Sequence, residues 1–218
     1  GLPIPPGFVV TTEAYRKFIG QIAPKIYPDL KKLDVENNDQ LQALAKSIQE
    51  LIIKTEMPQD LQDEITEAYE ALDTKDMLSQ DHPFVAVRSS ANAEDGPEAS
   101  FAGQNATYLN MKGKQKVLAA VKACWASLFT ARSIYYRTKN NFNHTKVFIA
   151  VVVQQMVNSE KAGVMFSVNP VSQKPNEIMI EATYGLGESV VSGAITPDEY
   201  IVDKNSEEVI TRNIEKKT

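Results

Sequence analysis

The spacing of apolar and polar positions changes period several times along the chain. Residues 8–10 form a short apolar run behind a proline-rich lead and predict a strand. Thr11 or Thr12 then caps a helix with Tyr15, Phe18 and Ile22 on one face. Residues 29–81 read as helical. Leu41, Leu44, Ile48, Leu51 and Ile52 recur at spacings of three and four, and Leu61, Ile65, Tyr69 and Leu72 repeat the pattern after Pro58. Residues 84–87 are a short apolar run that breaks at Arg88, residues 107–110 predict a strand, and residues 114–137 predict the longest helix. In that helix Val117, Val121, Trp125, Leu128 and Phe129 share a buried face. From residue 147 the texture turns to β: residues 147–153 are a continuous apolar run, and residues 163–167, 178–183, 199–202 and 209–211 supply further strands between turn-forming segments. The pattern predicts an α+β chain of two lobes, a helix-rich one over residues 1–145 and a strand-rich one over residues 146–218.

Composition is ordinary for a globular protein, with 43% hydrophobic and 23% charged residues and a net charge of −5, and nothing in it points to nucleic-acid binding. Charge is segregated, however. Residues 29–81 hold 14 Asp and Glu against 5 Lys and Arg, whereas residues 111–147 hold eight Lys and Arg and no acid. The basic block fits a solvated face, or a raised local potential for an anionic ligand, with Arg132 and Arg137 near the helix end the better candidates. Those two side chains also suit the helix's last carbonyls. Cys124 stands alone in a helical apolar pattern and reads as a small core residue, so no intrachain disulfide forms. No apolar run reaches about 18 residues and no signal-peptide pattern opens the chain, so neither a membrane span nor secretion is expected, and a cytoplasmic location is the default.

The richest chemistry lies in VAVRSSANAEDGPEASFAGQNATYL, residues 85–109. A strand ending in a small, charged loop is a common way for an α/β protein to present a ligand site. Arg88 offers a planar fork of donors matched to phosphate. Ser89, Ser90, Gly103 and Thr107 allow close backbone approach and donate N–H or O–H groups. The same composition also fits an edge loop with one exposed Arg. No Walker-type loop and no His/Cys metal cluster occurs; His82 precedes a proline and His144 lies in a polar connection, and neither is expected to be catalytic.

This stretch resembles the ATP-binding domain of the phosphoenolpyruvate synthase and pyruvate phosphate dikinase family, a domain that rifampin phosphotransferases share. Three further segments resemble the family in the same order: GLPIPPGFVVTTEAY at residues 1–15, VVVQQMVNSEKAGVMFSVNP at residues 151–170, and GLGESVVSGAITPDEY at residues 185–200. The resemblance implies an ATP-grasp-like, two-lobed fold that binds ATP with Mg2+. It assigns the phosphates to Arg88, also the catalytic candidate, and to Gly103 and Thr107. It lays the adenine against Gln154, Met156 and Val157. Taken alone, residues 151–157 fit an ordinary core strand equally well. Glu181 and Glu188 can bind ribose hydroxyls or hold a metal through water, or can be a salt-bridge partner and a turn residue. No protein metal ligand is assigned.

The implied reaction converts ATP, pyruvate and water to AMP, phosphoenolpyruvate and phosphate through a phosphohistidine. This domain's share is to pass the β-phosphoryl group to the histidine domain of the parent chain, ahead of a pyruvate-binding domain. The family's Gly-Gly-Lys segment and its metal-binding carboxylate and glutamine have no match here, so the chain is expected to be truncated at both ends and inactive alone. A related dikinase or rifampin phosphotransferase, and a non-catalytic interaction module of the same fold, remain open.

Overall fold

In the computed structural model, which describes residues 4–72, 82–91 and 106–215, helices and antiparallel strands divide between two compact units, Gly1–Met156 and Val157–Thr218. The fold is α+β. The chain runs through β1 (Gly7–Val10), α1 (Thr12–Gly20), α2 (Ala23–Lys32), α3 (Asn38–Lys54), α4 (Gln59–Glu70), β2 (Val85–Ala91), β3 (Thr107–Met111), α5 (Lys114–Ser127), α6 (Ala131–Lys139), a 3₁₀ turn at His144–Lys146 and β4 (Ile149–Gln155). These build the first unit around an antiparallel sheet of order β1-β4-β2-β3.

Period-two alternation decides which face of that sheet is interior. Val10, Val85, Val87, Val151 and Val153 are buried on one face, packed with Val117, Val121, Cys124 and Trp125 of α5. Each such side chain taken out of water contributes about 1.5–3 kcal/mol. The Trp125 ring lies 4.7 Å from Phe18 and 6.2 Å from Tyr15, tying α1 to α5. Burial pushes the Cys124 thiol up to about 12, which keeps it protonated as a core residue. Gly7 lets β1 come close: a Cβ there would stand 2.7 Å from the Val153 carbonyl oxygen.

Three sequence expectations change. The boundary between units falls after Met156, so β4 pairs with β1 and β2 in the first unit and does not open the second. Helix 114–137 is two helices, turning a corner at Leu128 before Thr130 caps α6 by accepting from Ser133 N at 3.2 Å; α3, with 17 residues, is the longest. The stretch Lys114–Lys139 is long and apolar enough by composition to cross a membrane, but 56% of its most apolar window is buried, because its apolar residues face this unit's own core.

The segregated charges meet one another. Lys114 pairs with Glu70 at 2.5 Å and Lys139 pairs with Glu36. Lys122 Nζ donates to the carbonyls of Ile53 at 2.7 Å and Thr55 at 3.1 Å, closing the C-terminal end of α3. Three lysines of the basic block thus meet α4, the end of α3 and the connection before α3. Arg137 is fully buried: its Nη2 donates to Leu128 O at the end of α5, and its guanidinium sits 5.4 Å from the Phe129 ring centroid. Arg137 thus meets a helix-end carbonyl, but that of α5 and not of its own helix.

The second unit is a meander, β5 (Lys161–Phe166), β6 (Glu177–Tyr184), β7 (Asp198–Asp203) and β8 (Val209–Asn213), with the short α7 (Glu188–Val191) between β6 and β7. The β5–β6 connection is closed by Glu177, which accepts from Asn169 at 2.9 Å, Ser172 at 2.8 Å and Lys174 at 2.8 Å. Lys174 first, then Ser172, holds that carboxyl below the usual range. Gly163 permits the close β5–β6 approach, since a Cβ there would stand 2.5 Å from Glu181 O.

Candidate functional site

The face of the first sheet that turns away from α5 carries the candidate site. Arg88 lies opposite Thr107 of β3 and Val152 of β4, and Val152 lies opposite Val9 of β1. Residues directly opposite in antiparallel strands point to the same side. Thr107, Arg88, Val152 and Val9 therefore form one row across all four strands, with Thr107 and Arg88 exposed and Val9 55% exposed. Gln154 sits on the same face one row along, opposite Ala86 and Gly7. Among the described residues no carboxylate pairs with Arg88, which is exposed and in register with Val152.

Sequence placed Arg88 at a strand end; it stands inside β2, which runs on to Ala91. Its neighbour Ser89 points the other way and is buried. Ala106 N donates to Ser89 Oγ at 2.8 Å and Ser89 N donates to Ala106 O at 2.9 Å, so this serine fastens the incoming end of β3 to β2. Ser90 alternates back to the exposed side. Gly103 lies outside the described residues. Thr107 is the first residue of β3, and the pairing with β2 brings it to Arg88.

The adenine candidates divide. Gln154 is half-buried and its Nε2 donates to Pro5 O at 3.2 Å. Met156 N donates to Phe84 O at 2.8 Å, and its Sδ accepts from Asn110 N at 3.0 Å. Asn110, at φ 58°, occupies the bulge where Leu109 and Asn110 together oppose Ala86. This bulge bends β3 at the Met156 end of the sheet. Val157 opens the second unit and is 59% exposed.

Glu181 and Glu188 both belong to the second unit. Glu181 stands in a row with Val164, Glu199 and Asn213, two carboxylates side by side on one sheet face, and Asn213 Nδ2 donates to Glu199 Oε1 at 3.0 Å. Glu188 is exposed at the start of α7. No group of three or more His, Cys, Asp or Glu able to hold a metal occurs among the described residues. His144 is half-buried with Nε2 3.2 Å from Thr138 Oγ1, and burial, then the charge of Arg137, pushes it down to about 4.

The first sheet thus has one face packed on α5 and another bearing a cation, a hydroxyl, an amide and aliphatic side chains. The chain belongs to the pyruvate phosphate dikinase AMP/ATP-binding domain family, whose profile matches residues 1–218. It is 52% identical over 219 residues, all of this chain, to a probable phosphoenolpyruvate synthase of Methanocaldococcus jannaschii, of which it covers 18%. It is 52% identical over 208 residues to a probable phosphoenolpyruvate synthase of Methanothermobacter thermautotrophicus, covering 94% of this chain and 30% of that protein. It is 45% identical over 251 residues to the phosphoenolpyruvate synthase of Pyrococcus furiosus, again covering 30% of that protein. The chain thus spans less than a third of the length of these relatives.

Proposed function

We propose that the chain is the ATP-binding domain of a phosphoenolpyruvate synthase. It binds Mg-ATP and offers the β-phosphorus to a histidine on another domain of the parent: the α–β phosphoanhydride bond breaks, AMP leaves, and the β- and γ-phosphoryl groups pass together to the histidine. Water then cleaves the β–γ bond to release phosphate, and pyruvate takes the β-phosphoryl group that remains. The observation that carries this reading is the Thr107–Arg88–Val152–Val9 row, with Gln154 beside it. An exposed guanidinium on an apolar floor supports a triphosphate whose charge spreads during transfer, and the Thr107 hydroxyl orients it. Gln154, Met156 and Val157 provide the adenine's surroundings. Magnesium would offset the charge of the nucleotide's phosphates. Calorimetric titration with ATP, with and without magnesium, tests the reading. It predicts binding that weakens with added salt and on Arg88→Ala; binding indifferent to both would overturn it.

A further inference from the structure

The first unit holds a second surface feature, which meets the Arg88 row only at Val9. A groove of about 230 Å³ runs beside β1, lined by Phe8, Val9 and Val10 of the strand and chiefly by Leu61, Glu64 and Ile65 of α4, with Ala68 at its edge. β1 is an edge strand. Gln155 N donates to Pro6 O at 2.9 Å. In an antiparallel pair this turns the amides and carbonyls of Phe8 and Val10 toward β4, and those of Gly7 and Val9 away from it. An open edge with a row of backbone donors and acceptors beside an apolar trough is the arrangement that receives an added strand: the backbone gives affinity and alternate side chains fill the trough.

We propose that this groove is the docking site of an extended apolar segment carrying a lysine or arginine, supplied by the part of a longer parent protein that lies outside these 218 residues. Charge and length select this occupant. α4 contains acids and no Lys or Arg. Asp60 is paired with Lys17 and Glu70 with Lys114, but Glu64, in the groove wall, has no ion-pair partner among the described residues. A cation on the incoming segment completes it. The relatives extend over lengths of which this chain is 18–30%, so ample chain exists to provide the segment. The proposal rests on the reading of this chain as one domain of such a protein.

Thiol accessibility tests it. The only native cysteine of the 218 residues, Cys124, is buried and does not compete. Ala68→Cys reports on the groove and Ala43→Cys, exposed on α3, serves as reference. Each is labelled with a maleimide in the 218-residue chain and in the longer protein, and read by peptide mass mapping. The ratio of labelling at position 68 to that at position 43 is expected to fall at least tenfold in the longer protein, and to recover when Glu64→Lys is added. An unchanged ratio overturns the proposal. So does protection in the 218-residue chain that rises with its concentration, which would make a second copy the occupant. ATP titration of the same variants stays independent of the outcome, so failure here leaves the nucleotide site standing.

Discussion

Arg88 and Thr107 face each other across β2 and β3, one cation and one hydroxyl in register on the sheet's open side. Because Arg88 is exposed and makes no ion pair with the described residues, removing it should spare the fold. Arg88→Ala is expected to weaken ATP binding about tenfold to a hundredfold, the loss of a charge-assisted contact of about 1.5–3 kcal/mol. Calorimetry gives the affinity, and an unchanged thermal midpoint shows that the site alone was altered.

The strand pattern around this pair was largely legible in the sequence. Val85 and Val87 announced a buried strand, and Arg88 the candidate cation. The direction of Ser89 was not legible, because its partner Ala106 lies 17 residues away and only pairing brings it near. The break between α5 and α6 was hidden by an apolar spacing that continues through the corner, although Thr130 is a good cap. The membership of β4 was missed for a similar reason: a β-rich texture says that a strand forms, not which sheet receives it. The charge blocks were visible, but each needed the other's position to show that lysines of α5 and α6 answer a carboxylate of α4, the carbonyls closing α3 and Glu36 in the connection before α3.

Arg137 gives a second expectation. Its guanidinium is buried with one hydrogen bond, to Leu128 O, while Nε and Nη1 have no partner. Burial lowers its pKa to about 10, against the opposing influence of Tyr15 and Tyr27. Arg137→Met keeps the aliphatic packing and removes the desolvated charge, so its chemical stability should equal or exceed that of the wild type. Arg137→Ala should cost about 2–4 kcal/mol through the cavity it leaves. Urea denaturation of both separates the two terms; equal losses would mean that the charge itself stabilises this corner.

His144 sets a pH dependence. Its folded pKa of about 4 lies below the ordinary value of 6.5, first because of burial and then because of Arg137. The unfolded chain therefore takes up a proton that the folded chain resists, and stability falls as pH drops from about 6.5 toward 4. The ring is only half-buried, so solvent screening limits the loss to on the order of 1 kcal/mol. Denaturation at pH 7 and pH 4.5 should show this excess loss in the wild type and not in His144→Gln, with the carboxylates' own losses common to both.

Gly163 tests the second unit by itself. A methyl group there would press on the Glu181 carbonyl oxygen at 2.5 Å, a backbone atom with little room to yield. Gly163→Ala should destabilise the β5–β6 pair by about 1–3 kcal/mol. Hydrogen exchange should speed up in Lys161–Phe166 and Glu177–Tyr184 while the amides of β2 and β4 keep their protection.

The alternation along β2 makes this strand intolerant of a change in length. Val85, Val87 and Ser89 are sealed against the helices, while Arg88 and Ser90 look outward. Deleting or inserting one residue before Arg88 would exchange the two sets, driving the guanidinium into the interior and the valines into solvent. Variation in lineages carrying this strand should therefore arrive as substitutions. Gains and losses of residues should gather in the connections on either side of it.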